Sequence, residues 1–395
     1  MIPDVTKIGT LREDKAGRTG LRLSNATLAL VVSALTLALI GCSDIIEPIA
    51  SGMLYPCTLP ASLPTGSLTY TGTTYHAYGD SITFGFMLPS VQDAYPYLVS
   101  SDRALTLNDN GVNGAQACDL SPAQIFPHDD NPTLASNMLY TVMIGTNDAA
   151  RDIPGYTAVF AQCHQAAVAW LAVPAESKVG TTAAGVTTKG RGRVDTSNHW
   201  NAWVTTVPGA SISFPISVVA SRPVYVWARI IDGDDGGFNY SVDGAVIGSA
   251  TTGTTPVIKT SQSNSNSLSL IRIPSVSAGP HTITLTQTSS TGTMEIVAVG
   301  VPPASGTGLP NVLVGDLPYA VNTASTGCST TATPSLRYMA EIQKTVVMLS
   351  GDGLNVRYVP TREYMFGTVA EMADMVHPNQ RGHVELSKAF EASLQ

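Results

Sequence analysis

Short apolar runs alternate with helical stretches toward both ends of this chain, and a long span of strand-and-turn sequence lies between the two. The runs Tyr75–Tyr78, Ala104–Leu107, Leu139–Ile144, Asn311–Val314 and Leu354–Val359 read as strands. Helical stretches are expected near Ala158–Leu171, Pro334–Leu349 and Asn379–Leu394, the last with Val384, Leu386, Ala389, Phe390 and Leu394 as its apolar stripe. Alternation of this kind predicts a parallel sheet covered by helices, with ligands at the carboxyl ends of its strands. From about Glu176 to Pro303 the character changes. Val224–Ile230, Phe238–Asp243, Leu268–Ile273 and His281–Thr286 read as strands broken by Gly, Pro and Asp turns, which predicts an all-β insertion.

Polar segments follow the strand-like runs at several places. Gly79-Asp80-Ser81-Ile82 follows the first, and Asp374-Met375-Val376-His377-Pro378-Asn379 lies near the other end of the chain. A serine hydroxyl is a weak nucleophile unless a base takes its proton and a third group orients and stabilises that base. Asp374 and His377 are three residues apart, so one turn of backbone can aim the carboxylate at one imidazole nitrogen and leave the other facing outward. Pro378 disfavours helix at His377 and suits the first position of the helix that follows. The third strand runs into Gly145-Thr146-Asn147-Asp148, and Asn110-Gly111-Val112-Asn113-Gly114 follows the second. Ser81 N–H, Gly114 N–H and the Asn147 amide are then three donors for an oxyanion, with Gly111 an alternative to Gly114. Asp80 and Asp148 are read as holding loops, and His76 and His383 as structural.

These blocks resemble the SGNH, or GDSL-type, hydrolases, whose signatures carry Ser, Gly, Asn and His in that order. Ser81, Gly114, Asn147 and His377 match them, with Asp374 in the Asp-x-x-His position. The likeness covers about residues 70–175 and 308–395. It implies an α/β/α sandwich and ester hydrolysis, and Gly79-Asp80-Ser81-Ile82-Thr83 does not fit the Gly-x-Ser-x-Gly elbow of the α/β-hydrolases. The fold expected is a three-layer α/β/α sandwich with a parallel sheet, interrupted by a jelly-roll-like all-β insertion.

The insertion resembles the β-sandwich carbohydrate-binding modules that accompany polysaccharide-active enzymes, through Tyr240-Ser241-Val242-Asp243-Gly244 and Ala278-Gly279-Pro280-His281-Thr282. Trp200, Trp203 and Tyr240, with Tyr225 and Trp227, either offer flat faces to a sugar or fill the core, as aromatic residues of a sandwich usually do. Asp232, Asp234 and Asp235 do not fit an EF-hand loop and are read as a turn. No metal and no cofactor is expected.

With only 13% Asp, Glu, Lys and Arg and a net charge of −8, nothing suggests a nucleic-acid partner. Arg12, Lys15, Arg18 and Arg22 precede the largely apolar run Ala26–Ile40, which is short of the ~20 residues of a spanning helix but suits a secretory signal. The run ends in Leu39-Ile40-Gly41-Cys42, which resembles a lipobox. Residues 1–42 are therefore read as a lipoprotein-type signal with Cys42 as the lipidated residue and membrane anchor, the alternatives being an uncleaved anchor or a plain signal peptide. Residues 43–69 follow as a linker, 70–175 as the first part of the hydrolase, 176–303 as the insertion and 304–395 as the second part. Cys57, Cys118, Cys163 and Cys328 allow two disulfides in an oxidising compartment, with the pairing open. A bridge between Cys118 and Cys163 would brace the active-site loops. The expected activity is that of an exported serine esterase, acting on an O-acetylated polysaccharide or other glycan. A lipase or thioesterase, or a surface carbohydrate-binding protein with a vestigial hydrolase fold, are the alternatives.

Overall fold

The structure is a computed structural model that describes residues 63–129, 138–151, 154–196, 201–232, 236–254, 266–303, 309–318, 334–365, 368 and 370–395. The signal-like segment with Cys42, as well as Cys57, Trp200, Asp234, Asp235 and Cys328, lies outside the described residues.

Five parallel strands form one sheet. They are β1 (Thr74–Gly79), β2 (Thr106–Gly111), β3 (Met138–Met143), β4 (Asn311–Gly315) and β5 (Val356–Val359), in the spatial order β2-β1-β3-β4-β5. That is a doubly wound order whose switch point falls between β1 and β3, where helices depart to opposite faces and leave a crevice at the strand ends. The alternation of side chains fixes the layers. Tyr78, Tyr140, Val142, Val312 and Val314 share one core with the helices Tyr156–Ala172 and Pro334–Gly351. Tyr75, Ala77, Leu139 and Leu313 face the other core, with Tyr95 and Val99 of the helix Tyr95–Asp102 and Leu386, Ala389 and Phe390 of the helix Gln380–Ala392. In chain order these helices are α2 (Tyr95–Asp102), α3 (Tyr156–Ala172), α4 (Pro334–Gly351) and α5 (Gln380–Ala392), after a single turn, α1 (Ser81–Phe84).

Two local differences from the sequence reading have physical reasons. β2 begins at Thr106 and runs on through Gly111, where Ala104–Leu107 was expected. It is the edge of the sheet, so its polar sequence Thr-Leu-Asn-Asp-Asn-Gly needs no apolar partner on its free side. Pro378 is not the first residue of α5. Asn379 caps that helix, its Oδ1 accepting from Arg381 N–H and Gly382 N–H, and Pro378 instead bridges to Met372.

The span from Lys178 to Gly300 folds into two sheets face to face, antiparallel except where Gly253–Thr254 runs parallel to Ile231–Asp232. Ile212, Phe214, Ile283, Leu285 and Phe238 of the five-stranded sheet pack on Val224, Val226, Ala228 and Ile296 of the seven-stranded one. The opposite face of the seven-stranded sheet is buried too. Tyr225, Trp227, Leu268 and Val297 belong to the same core as α3 and α4. Trp227 donates from Nε1 to Ala166 O at 3.1 Å and meets Trp170 edge to face at 5.3 Å. Arg272 grips the Asp352 carboxylate with two bonds of 2.8 and 2.5 Å, and Tyr225 donates to the same group. At the root of the insertion Lys178 pairs with Gly300, and Val301 N–H donates to Ser177 O at 2.9 Å.

Candidate active site

The nucleophile candidate is placed by the end of β1. Gly79 is held on both sides of its own backbone by one side chain, its N–H donating to Gln124 Oε1 at 3.0 Å and its C=O accepting from Gln124 Nε2 at 2.9 Å. A Cβ at Gly79 would fall 2.4 Å from Met143 O, so the close strand contact demands glycine. Asp80 then caps α1, accepting from Ile82 N–H at 2.9 Å. Ser81 is therefore the first helical residue, and its own N–H has no helical acceptor. Burial pushes the Asp80 carboxyl up to about 6, against the opposing pull of the Ile82 N–H and the nearby His377.

Ser81 Oγ lies 3.0 Å from His377 Nε2, and His377 Nδ1 lies 2.8 Å from Asp374 Oδ2. With Nδ1–H donating to the carboxylate, Nε2 is left to accept the serine proton. The loop that carries this pair is stiff for its length. Asp374 Oδ1 also accepts from Val376 N–H and His377 N–H, at 2.7 and 2.6 Å, Ala373 N–H donates to His377 O, and the Asn379 amide donates to Ala370 O at 2.9 Å. Partial burial pushes the Asp374 carboxyl up, but the hydrogen bonds from His377 and Val376 outweigh it and hold the group below the usual carboxylate range.

Two of the oxyanion-donor candidates lie on segments that are tied to each other. Gly114 adopts φ +76, a left-handed turn natural to glycine. Asn147, in the first turn of the short helix Thr146–Arg151, donates one amide hydrogen to Ala115 O at 2.9 Å, which ties it to the Gly114 loop and leaves its second N–H. The loop is pinned further by Asp148, which accepts from Ala117 N–H at 3.1 Å, by Asp119, which accepts from Gln116 N–H, and by Arg151, which donates to Gln116 Oε1 at 2.7 Å. Burial pushes Asp148 up to about 8, and the charges of Asp119 and Asp80 add to that. Cys118, on the same loop, is disulfide-bonded to Cys163 of α3. Gly111 has a different role from the one its position suggests. Its N–H donates to Asp109 Oδ1, and a Cβ there would meet Phe84 N at 2.4 Å, so it is the glycine that lets α1 lie on β2.

The remaining sequence candidates fall elsewhere. Trp203 is 2% exposed within the sandwich core and Gly192 lies against its ring, so it has no face to offer a sugar. Tyr240 is half-buried against the same core, over Gly248. His383 is buried under Tyr95 N–H, which donates to its Nδ1, and burial lowers it to about 3. No group of three or more His, Cys, Asp or Glu is arranged to hold a metal among the described residues. Two neighbours of the site were missed by the sequence reading. Gln124 gives no signal, since its role depends on a residue 45 positions away, and Phe86, whose ring stands 4.9 Å from the His377 imidazole, looks in sequence like any apolar residue after a turn.

No protein-family model and no curated protein matches the chain. Among solved structures, it is similar to a two-domain esterase active on acetylated mannans, with 12% identity and TM-score 0.34 over 59% of this chain and 92% of that one. It is also similar to a member of the lipolytic protein G-D-S-L family from Veillonella parvula DSM 2008, with 10% identity and TM-score 0.36 over 80% and 96%. A family 35 carbohydrate-binding module from an environmental isolate matches 34% of this chain over 97% of its own length, with 17% identity and TM-score 0.25.

Proposed function

We propose that this protein is an exported serine esterase that removes O-acetyl groups from a glycan. The observation that carries the reading is the relay Asp374–His377–Ser81, with both of its hydrogen bonds formed. Ser81 Oγ attacks the ester carbonyl carbon while His377 Nε2 takes its proton. The negative charge that develops on the carbonyl oxygen is met by Ser81 N–H, Gly114 N–H and the free Asn147 N–H. His377 then returns the proton to the sugar oxygen as the carbon–oxygen bond breaks. Water, deprotonated by the same imidazole, attacks the acyl-enzyme and releases acetate and Ser81. Asp374 stays ionised throughout and holds the imidazolium.

The sandwich supports a glycan substrate because its sequence resembles carbohydrate-binding modules and it is locked to the hydrolase. Phe84, 38% exposed at the end of α1, favours a second reading, cleavage of esters with longer acyl chains.

The test is acetate release from acetylated polysaccharides and 4-nitrophenol release from acyl esters of graded length, wild type against Ser81→Ala. Acetate release that vanishes in Ser81→Ala supports the proposal. Preference for long chains selects the second reading, and a Ser81→Ala enzyme with near wild-type turnover refutes the assignment of the nucleophile. Export is proposed with attachment through a lipid on Cys42. Cys42→Ala should then abolish incorporation of a labelled fatty acid into the protein, and a wild type that takes up no label rejects the anchor.

A further inference from the structure

Several of the exposed large apolar side chains among the described residues neighbour the candidate nucleophile and base in sequence. Phe86 is 42% exposed and Met87 51%, both just beyond the nucleophile helix, and Met375 is 46% exposed, two residues before His377. Met87 also holds φ 68, an unfavourable conformation for a residue with a side chain. The turn is nonetheless fixed, since Phe86 N–H donates to Ser81 O at 2.9 Å and Gly85, at φ 80, closes α1. A large aromatic ring is thus held partly in solvent, 4.9 Å from the imidazole and tilted 60° to it. Burying it would be favourable, so its retained exposure beside the base marks a surface that something covers.

The order of bond making and breaking says which part of a substrate that is. The acyl oxygen must point to Gly114 and Asn147, and the oxygen that leaves must point to His377 Nε2, which protonates it. A group packed against His377 therefore meets the alcohol half of the ester rather than the acyl half. A flat, uncharged ring next to the leaving oxygen fits the apolar C–H face of a pyranose. We infer that Phe86 is the platform of a leaving-group subsite, on which the sugar ring that carries the scissile acetate stacks. This rests on the esterase reading above and assigns the alcohol side of its substrate.

The experiment compares the full-length protein with Phe86→Ala and Phe86→Tyr on two substrates that share the acetyl group. One is an O-acetylated oligosaccharide; the other is vinyl acetate, whose alcohol part is two carbons. Phe86→Ala should lower kcat/KM on the oligosaccharide about tenfold, mostly through KM, and change vinyl acetate hydrolysis less than about twofold. Phe86→Tyr should restore the oligosaccharide value. An equal loss on both substrates would mean that Phe86 only positions His377, and no loss on either would mean that the ring contacts nothing; each overturns the inference. So does a wild type that cleaves vinyl acetate through Ser81 and ignores the oligosaccharide. Absence of Ser81-dependent cleavage of either substrate instead removes the esterase reading itself.

Discussion

Trp227 offers the most direct test of whether the sandwich and the α/β/α unit stand or fall together. Its side chain is fully buried between the seven-stranded sheet and α3, it donates to Ala166 O, and its ring meets Trp170 and Tyr225 edge to face at 5.3 and 5.9 Å. Trp227→Ala removes a ring that neither unit can replace by local collapse, which costs about 4 kcal/mol, and ~1 kcal/mol of that is the hydrogen bond to Ala166. Against a total stability of ~5–15 kcal/mol this is a large fraction. With a urea dependence of about 3 kcal/mol/M the midpoint should fall by roughly 1.3 M. Trp227→Phe keeps most of the ring and loses the donor, so its midpoint should fall by less than half as much. Unfolding would be followed by 4-nitrophenyl acetate hydrolysis for the proposed Ser81 site and by hydrogen exchange in peptides from Arg222–Asp232 and Tyr156–Ala172. The expected result is one shift shared by all three probes. Should the strand peptide open early while hydrolysis and α3 keep the wild-type midpoint, the claim of a common core would fail.

Two further outcomes follow from the loop that carries Gly114. Asp148 keeps a proton in the folded protein up to about pH 8 that the unfolded chain releases near 4, so its contribution to stability is complete below about 4 and is lost as pH rises through 8, at up to ~1.4 kcal/mol per pH unit. Asp148→Asn should therefore flatten the decline in urea midpoint between pH 5 and pH 9, and a slope unchanged from wild type would show the carboxyl to be ionised already. Replacing both Cys118 and Cys163 with Ala opens a loop with a sequence separation of 45 and should cost about 4 kcal/mol on loop-closure entropy, read as a lower urea midpoint; a loss below about 1 kcal/mol would show that Asp148 and Arg151 hold the loop without the bridge.

The catalytic candidates were legible because each is a short polar segment behind an apolar run, and because Asp374 and His377 meet through local backbone. Their surroundings were not. Gln124 clamps Gly79 across 45 residues, and Phe86 reaches His377 only because two distant loops converge, so neither leaves a periodic trace. β2 was placed too early because an edge strand lacks the apolar signature that betrays a central one. The aromatic run Val224-Tyr225-Val226-Trp227 held a clue that was read only as sandwich core or sugar platform. Apolar residues at every position, rather than at alternate ones, signal burial on both faces, and here the second face is covered by α3.

The paired residues Lys178 and Gly300 lie where the chain enters and leaves the sandwich, and partners in an antiparallel ladder stand only about 5 Å apart. A shortened gene could therefore rejoin the α/β/α unit across that gap with one or two residues and no strain on the sheet. The obstacle to such an excision is solubility rather than connectivity, because it would strip the cover from Trp170 and the neighbouring face of α3. A minimal α/β/α unit cut from this chain would need that face rewritten with charged residues, whereas grafting the sandwich onto another protein would require carrying the face along.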